Sequence, residues 1–173
     1  MIPVKNPEQL ILFLNKQIDG AWTVEPWVSV LVKEGNGKVF LEESSLWPDK
    51  EYVTANIIVR KKFLDTHPDL VKIWLNAHVE ITLWTNSHPA EAKSVLNREL
   101  KRLTGKALSD DVLDPAFARI KVTYDPIKGS LLTAAEWAFE QGFLGRSRPD
   151  LSGIYDLRIL NDILNAKGLK AIE

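Results

Sequence analysis

Between Pro7 and Lys16, the apolar residues Leu10, Ile11, Phe13 and Leu14 keep helical spacing. They follow Asn6-Pro7-Glu8-Gln9, a cap candidate with a first-turn proline and a glutamine three residues on. The pattern predicts a helix over 7–16. Ile18 to Val24 then reads as a mostly buried strand, Pro26 to Lys33 as a short helix stopped by Gly35 and Gly37, and Lys38 to Glu42 as a second short strand. Helix, strand, helix, strand is the order of an α/β fold with a parallel sheet and crossover helices. Tyr52 to Arg60, YVTANIIVR, is a longer β-branched run placed to connect two lobes.

Past His67-Pro68 the period becomes helical: Leu70, Ile73, Trp74, Ala77, Ile81 and Trp84 share one stripe. Ser87-His88-Pro89 closes that helix and opens another that ends near Leu103, before Gly105. Further helices are expected over 109–119, 126–141 and 156–167, the last two stopped by Gly142 and Gly168, with Lys121 to Tyr124 extended. The sequence carries no internal repeat and no low-complexity linker.

The most informative stretch is DGAWTVEPW, Asp19 to Trp27. A strand runs into Glu25-Pro26-Trp27, where proline suits the first turn of a helix and sacrifices a donor that has no helical partner. One reading is a plain strand–helix corner with Trp22 and Trp27 as core. The other is an anion cradle, in which the backbone amides of Thr23 to Trp27 and the Thr23 hydroxyl face a ligand between tryptophan walls. Glu25 fits the second reading only if its carboxylate turns away or caps the helix. Thr54, in the connecting run, reads by itself as a surface strand threonine. Asp125, before Pro126, is first an N-cap and alternatively a residue near a cleft.

Composition narrows the chemistry. With 22 basic and 23 acidic residues among 173, the net charge is -1, which gives no whole-chain attraction to nucleic acid or acidic membranes. Cysteine is absent, excluding disulfides and thiolate chemistry. His67 and His88 precede prolines at helix starts, and His78 lies within an apolar helix. No HExxH, GxxxxGK[ST], GxGxxG or GxSxG occurs, so no metal, cofactor or catalytic residue is assigned. The N-terminal MIPVKN reads neither as a signal peptide nor as an anchor.

With AWTVEPW, VKNPEQL before it, YVTANIIVRKKFLDTHPDLVK after it and DLSGIYDLRILNDIL near the end, the chain resembles the periplasmic substrate-binding proteins of ABC importers for aliphatic sulfonates, nitrate and taurine. The resemblance implies a type II periplasmic-binding-protein fold, two α/β lobes closing on a small oxyanion and docking on a membrane permease. It implies that only the later part is present: residues 1–51 as the end of the second lobe and 52–173 as the crossover strand and C-terminal helical part of the first. On that expectation the missing N-terminal half, or self-association, covers what is left open. The implied ligand residues are Thr23, Val24, Glu25, Trp27 and Thr54. Two alternatives stand beside this non-enzymatic reading. One is a remnant or interaction module without a ligand. The other is an enzyme like the thiamine-pyrimidine precursor synthases, which would need a reactive histidine and metal-binding residues in the cleft.

Overall fold

Eight α-helices carry the regular structure of the computed structural model, which describes residues 2–173. They are α1 (Asn6–Leu14), α2 (Trp27–Lys33), α3 (Lys61–Thr66), α4 (Pro68–Ser87), α5 (Pro89–Thr104), α6 (Asp110–Arg119), α7 (Lys128–Glu140) and α8 (Arg158–Ala166). Single 3₁₀ turns stand at Glu43–Leu46 and Pro48–Lys50. Local signals set the longer helices. In α5, Pro89 and Glu91 occupy the first turn, Lys101 and Arg102 the last, and Gly105 at φ 79° donates its N–H to the Lys101 carbonyl.

The chain forms two compact units. The first holds residues up to Glu42 together with Thr85–Val122; the second holds Glu43–Trp84 with Thr123–Glu173. In the first, α2 packs on α6 and on α1, burying Val30, Val112, Leu113 and Ala116. A Cβ on Gly35 would stand 2.7 Å from the Leu31 carbonyl oxygen and 3.2 Å from the Phe13 ring, so the end of α2 meets α1 through a glycine that nothing larger replaces without movement. In the second, Val79 of α4 meets Leu160, Ile163 and Leu164 of α8, with Leu75, Tyr124, Leu157 and Ile172 packed around them. Helix α8 follows from its sequence, since residues 160, 163 and 164 fall on one face.

The expected sheet is absent within this chain: no described residue belongs to a strand. Ile18–Val24, Lys38–Glu42 and Tyr52–Arg60, expected as strands, and Lys121–Tyr124, expected as extended, run without ladder partners. The reason is that strand pattern is local but strand pairing is not: β-branched residues favour the extended backbone, and only a neighbour supplies its hydrogen bonds. Several apolar side chains of these segments stay in solvent, Phe40 fully and Ile58 to 92%. The chain exposes 12813 Å², whereas two separate globular bodies of half its mass would together expose about 10,000 Å². Much apolar surface is therefore uncovered.

Two smaller expectations also change. Pro26 precedes α2 as its cap residue rather than opening it, and the Glu25–Pro26 peptide is cis. Asp125 does not cap α7 directly; its Oδ1 accepts the Ile127 N–H at 2.8 Å, an Asx turn that delivers the chain to a helix starting at Lys128.

Candidate functional site

At the AWTVEPW corner the backbone closes on itself. The Trp27 N–H donates to the Val24 carbonyl at 2.9 Å, and the Val28 N–H reaches the same oxygen at 3.4 Å. Glu25 turns back to accept the Ser29 N–H at 3.2 Å, capping α2 with a carboxylate where the helix dipole favours negative charge. The first amides of α2, expected to face an anion, are thus engaged within the corner. Thr23 offers its hydroxyl to Asn6 Oδ1 at 3.5 Å, a long contact, and Asn6 also accepts from Gln9. Val24 is exposed, Trp22 is 65% exposed, and Trp27 is half-buried at the start of α2.

Glu25 has a partner that sequence spacing does not reveal. Arg119, at the end of α6, donates from Nη1 to Glu25 at 3.2 Å and from Nε to Glu42 at 3.1 Å. The Glu25 side chain keeps only 6% of its surface in water, so this is a nearly buried ion pair. Burial opposes the Arg119 charge, but its bonds to Glu42 and the charges of Glu42 and Glu25 prevail and hold the guanidinium above its ordinary pKa. The corner is a turn whose carboxylate is nearly buried and neutralised by Arg119.

Thr54 lies in the second unit, exposed on the extended run. One residue earlier, the Val53 N–H donates to Ser130 Oγ of α7 at 2.9 Å, and that hydroxyl passes its own proton to the Ile127 carbonyl. This relay fixes the start of the run against α7. A cleft of about 800 Å³ opens beside it, where Asp49, Glu51, Asp125, Lys128 and Lys170 contribute charge of both signs. Next to it, Trp47 stacks on Tyr52 with ring centres 5.4 Å apart and tilts onto Trp137 at 4.8 Å. Trp137 is 44% exposed.

The histidines stand apart. His67 and His88 pair through Nδ1 with the hydroxyls of Thr66 and Ser87, and His78 stacks on Trp74 with centres 5.8 Å apart. Among the described residues, no three histidine or acidic side chains gather as metal ligands, and no helix is long and apolar enough to cross a membrane.

Residues 1–98 match the NMT1-like family, a stretch that includes the corner, α1 to α4 and the run through Thr54. No curated protein and no solved structure matches the chain.

Proposed function

The chain belongs to the NMT1-like family, whose members are periplasmic binding proteins of ABC transport, and on that premise we propose that it is the substrate-binding component of an importer that captures a small oxyanion such as an aliphatic sulfonate. The observation that carries this reading is the state of Glu25. A carboxylate at the lip of an anion site repels the ligand, but here it is turned into the protein, capped on Ser29 and neutralised by Arg119. The Thr23 hydroxyl and the rings of Trp22 and Trp27 are then the ligand-facing groups, with Val24 shaping the backbone and Thr54 the donor from the connecting run. Because the amides of Trp27, Val28 and Ser29 are engaged, side chains rather than backbone carry the recognition.

In this reading the protein works in the periplasm, delivers its ligand to a membrane permease and performs no covalent chemistry. Residues 1–51 belong to one lobe and 52–173 chiefly to the other. The unpaired extended segments are strands whose neighbours come from the N-terminal half of a longer binding protein. A two-lobed cleft gains affinity by enclosing its ligand, so this part alone binds weakly.

Native mass spectrometry of the protein taken gently from its own cells tests the reading. A retained alkanesulfonate, or a polypeptide supplying the missing lobe, is the expected result. A bare chain that self-associates and retains nothing under those conditions would favour an interaction module without a ligand.

A further inference from the structure

We infer that Asn36-Gly37, in the turn that ends α2, is a site of spontaneous deamidation, and that the hydrogen bond from the Gly37 N–H to the Leu31 carbonyl sets its rate. It is the chain's one Asn-Gly pair. The reaction asks for an asparagine amide in reach of water and a following residue without a Cβ to hinder its nitrogen. Asn36 is exposed, and Gly37 meets the second condition. In the ring-closing step the Gly37 nitrogen gives its proton to base and bonds to Asn36 Cγ, while the Cγ–Nδ2 bond breaks and the side-chain amide leaves as ammonia. Water then opens the succinimide at one carbonyl or the other, leaving aspartate or isoaspartate. The balance needs only water and base.

Local geometry restrains that step. The N–H groups of Gly35 and Gly37 both donate to the Leu31 carbonyl, at 3.1 and 3.0 Å. Asn36 between them sits at φ 56°, in the left-handed region that asparagine enters more readily than most side chains. The nitrogen that must attack is therefore held at the end of α2 with its proton engaged, and that bond has to open first. The turn has little slack, since a Cβ on Gly37 would stand 3.0 Å from the Leu31 oxygen. Asn86-Ser87 offers an internal comparison: it lies in α4, its following residue carries a side chain, and Asn86 Nδ2 donates to the Val122 carbonyl at 3.0 Å. The product bears on the fold. Asn36 borders the same groove as Lys33 and Asp111, which pair at 2.5 Å, so a carboxylate at 36 competes for Lys33 and follows the negative end of α2. Isoaspartate also routes the main chain through the former side chain, which draws Gly37 away from Leu31.

The test is to age the full chain in mildly alkaline buffer, folded or unfolded in urea, and to count aspartate and isoaspartate at each asparagine by peptide mass mapping. Amide hydrogen exchange at Gly37 is followed alongside. In urea, Asn36 should convert ahead of Asn86 and every other asparagine. In the folded chain its rate should fall by the same factor, within about threefold, as the Gly37 amide is protected from exchange, because one local opening exposes both. Gly35→Ala, which places a Cβ 2.7 Å from the Leu31 oxygen, should speed deamidation and Gly37 exchange in step, several-fold. The isolated isoaspartate fraction is expected to melt below the fresh chain. Conversion in urea no faster at Asn36 than at Asn86 overturns the site. A folded-state rate equal to that in urea while Gly37 is protected, or one that departs from the Gly37 protection by about tenfold or more, overturns the control by the Leu31 bond; both readings come from the wild type and stand whether or not Gly35→Ala folds.

Discussion

Each unit contains a helix pair, and the two pairs are built to different ends. Where α4 meets α8, the cluster is apolar, Val79 and Leu164 at 0% exposure with Leu160 and Ile163 beside them, and α4 also buries Thr82, whose hydroxyl has no partner. Where α2 meets α6, Val30, Val112, Leu113 and Ala116 are buried, yet an unpaired hydroxyl, an in-helix proline and ion-paired groups run alongside. Dry packing maximises dispersion and burial, whereas the second arrangement keeps polar groups in place at a cost in stability. Departures of that kind collect where a protein binds something. The α4–α8 pair gives the second unit its core, and the α2–α6 pair carries the ion-paired groups of the first.

The largest effect is expected on the dry side. Leu164→Ala removes a fully buried side chain from the cluster around Val79 and should cost about 3 kcal/mol, since the lost transfer energy is compounded by a cavity. Urea denaturation of the two proteins measures it, and a cost below about 1 kcal/mol would mean that the pair is looser than its burial implies. On the α2–α6 side, Arg119→Gln should cost about 1–2 kcal/mol, less than a fully buried pair because the arginine side chain keeps 33% of its surface in solvent. Adding Glu25→Gln should recover part of that loss, because the stranded carboxylate is then gone. Equal stability of the single and double variants would break the assignment of Glu25 as Arg119's dependent.

A finer comparison comes from two asparagines that do the same work in the two units. Asn161 of α8 donates to the Ile172 carbonyl and accepts the Ile172 N–H, both at 2.9 Å; Asn97 of α5 does the same for Leu108 at 2.8 Å. Each side-chain amide imitates a strand neighbour and holds a segment eleven residues further on. Asn161→Ala should cost about 1–2 kcal/mol and Asn97→Ala about 1 kcal/mol, the first more because Ile172 packs against the α4–α8 cluster. Hydrogen exchange at the Ile172 and Leu108 amides reads the loss at each staple separately.

The contrast also separates what could be read from the sequence and what could not. Pro89 and Gly105 mark α5 because helix ends are written in local residues, and the 160, 163, 164 spacing marks the face of α8 for the same reason. Helix α3 went unread, as six residues without a side-chain cap give no period to detect. YVTANIIVR carries a strand pattern, yet pairing depends on a neighbour that local pattern cannot name. At the corner, EPW restricts Glu25 to capping or turning away, and it does both. Its partner Arg119 lies 94 residues on, a distance at which composition and spacing carry no signal.

The smallest effect concerns pH and again belongs to the supporting side. Partial burial lowers the pKa of His78 below its usual 6.5, so the unfolded chain binds this proton more tightly than the folded one. Stability from this group is complete above the unfolded value and is lost as pH falls from there through the folded value. The depressed carboxyls of Asp150 and Asp156 lose stability in the same direction, but only as pH drops through the carboxylate range: Asp150 is held down by its hydrogen bonds with Ser152, Asp156 chiefly by Arg158. Melts at about pH 7.5 and 5.5 therefore isolate the histidine. The wild type should melt about 1–2 °C lower at the acid end, a small shift because His78 stays partly in solvent. His78→Gln should flatten the difference, and the step should survive Arg119→Gln unchanged, since His78 sits on α4 beside Trp74 and Arg119 ends α6 in the other unit.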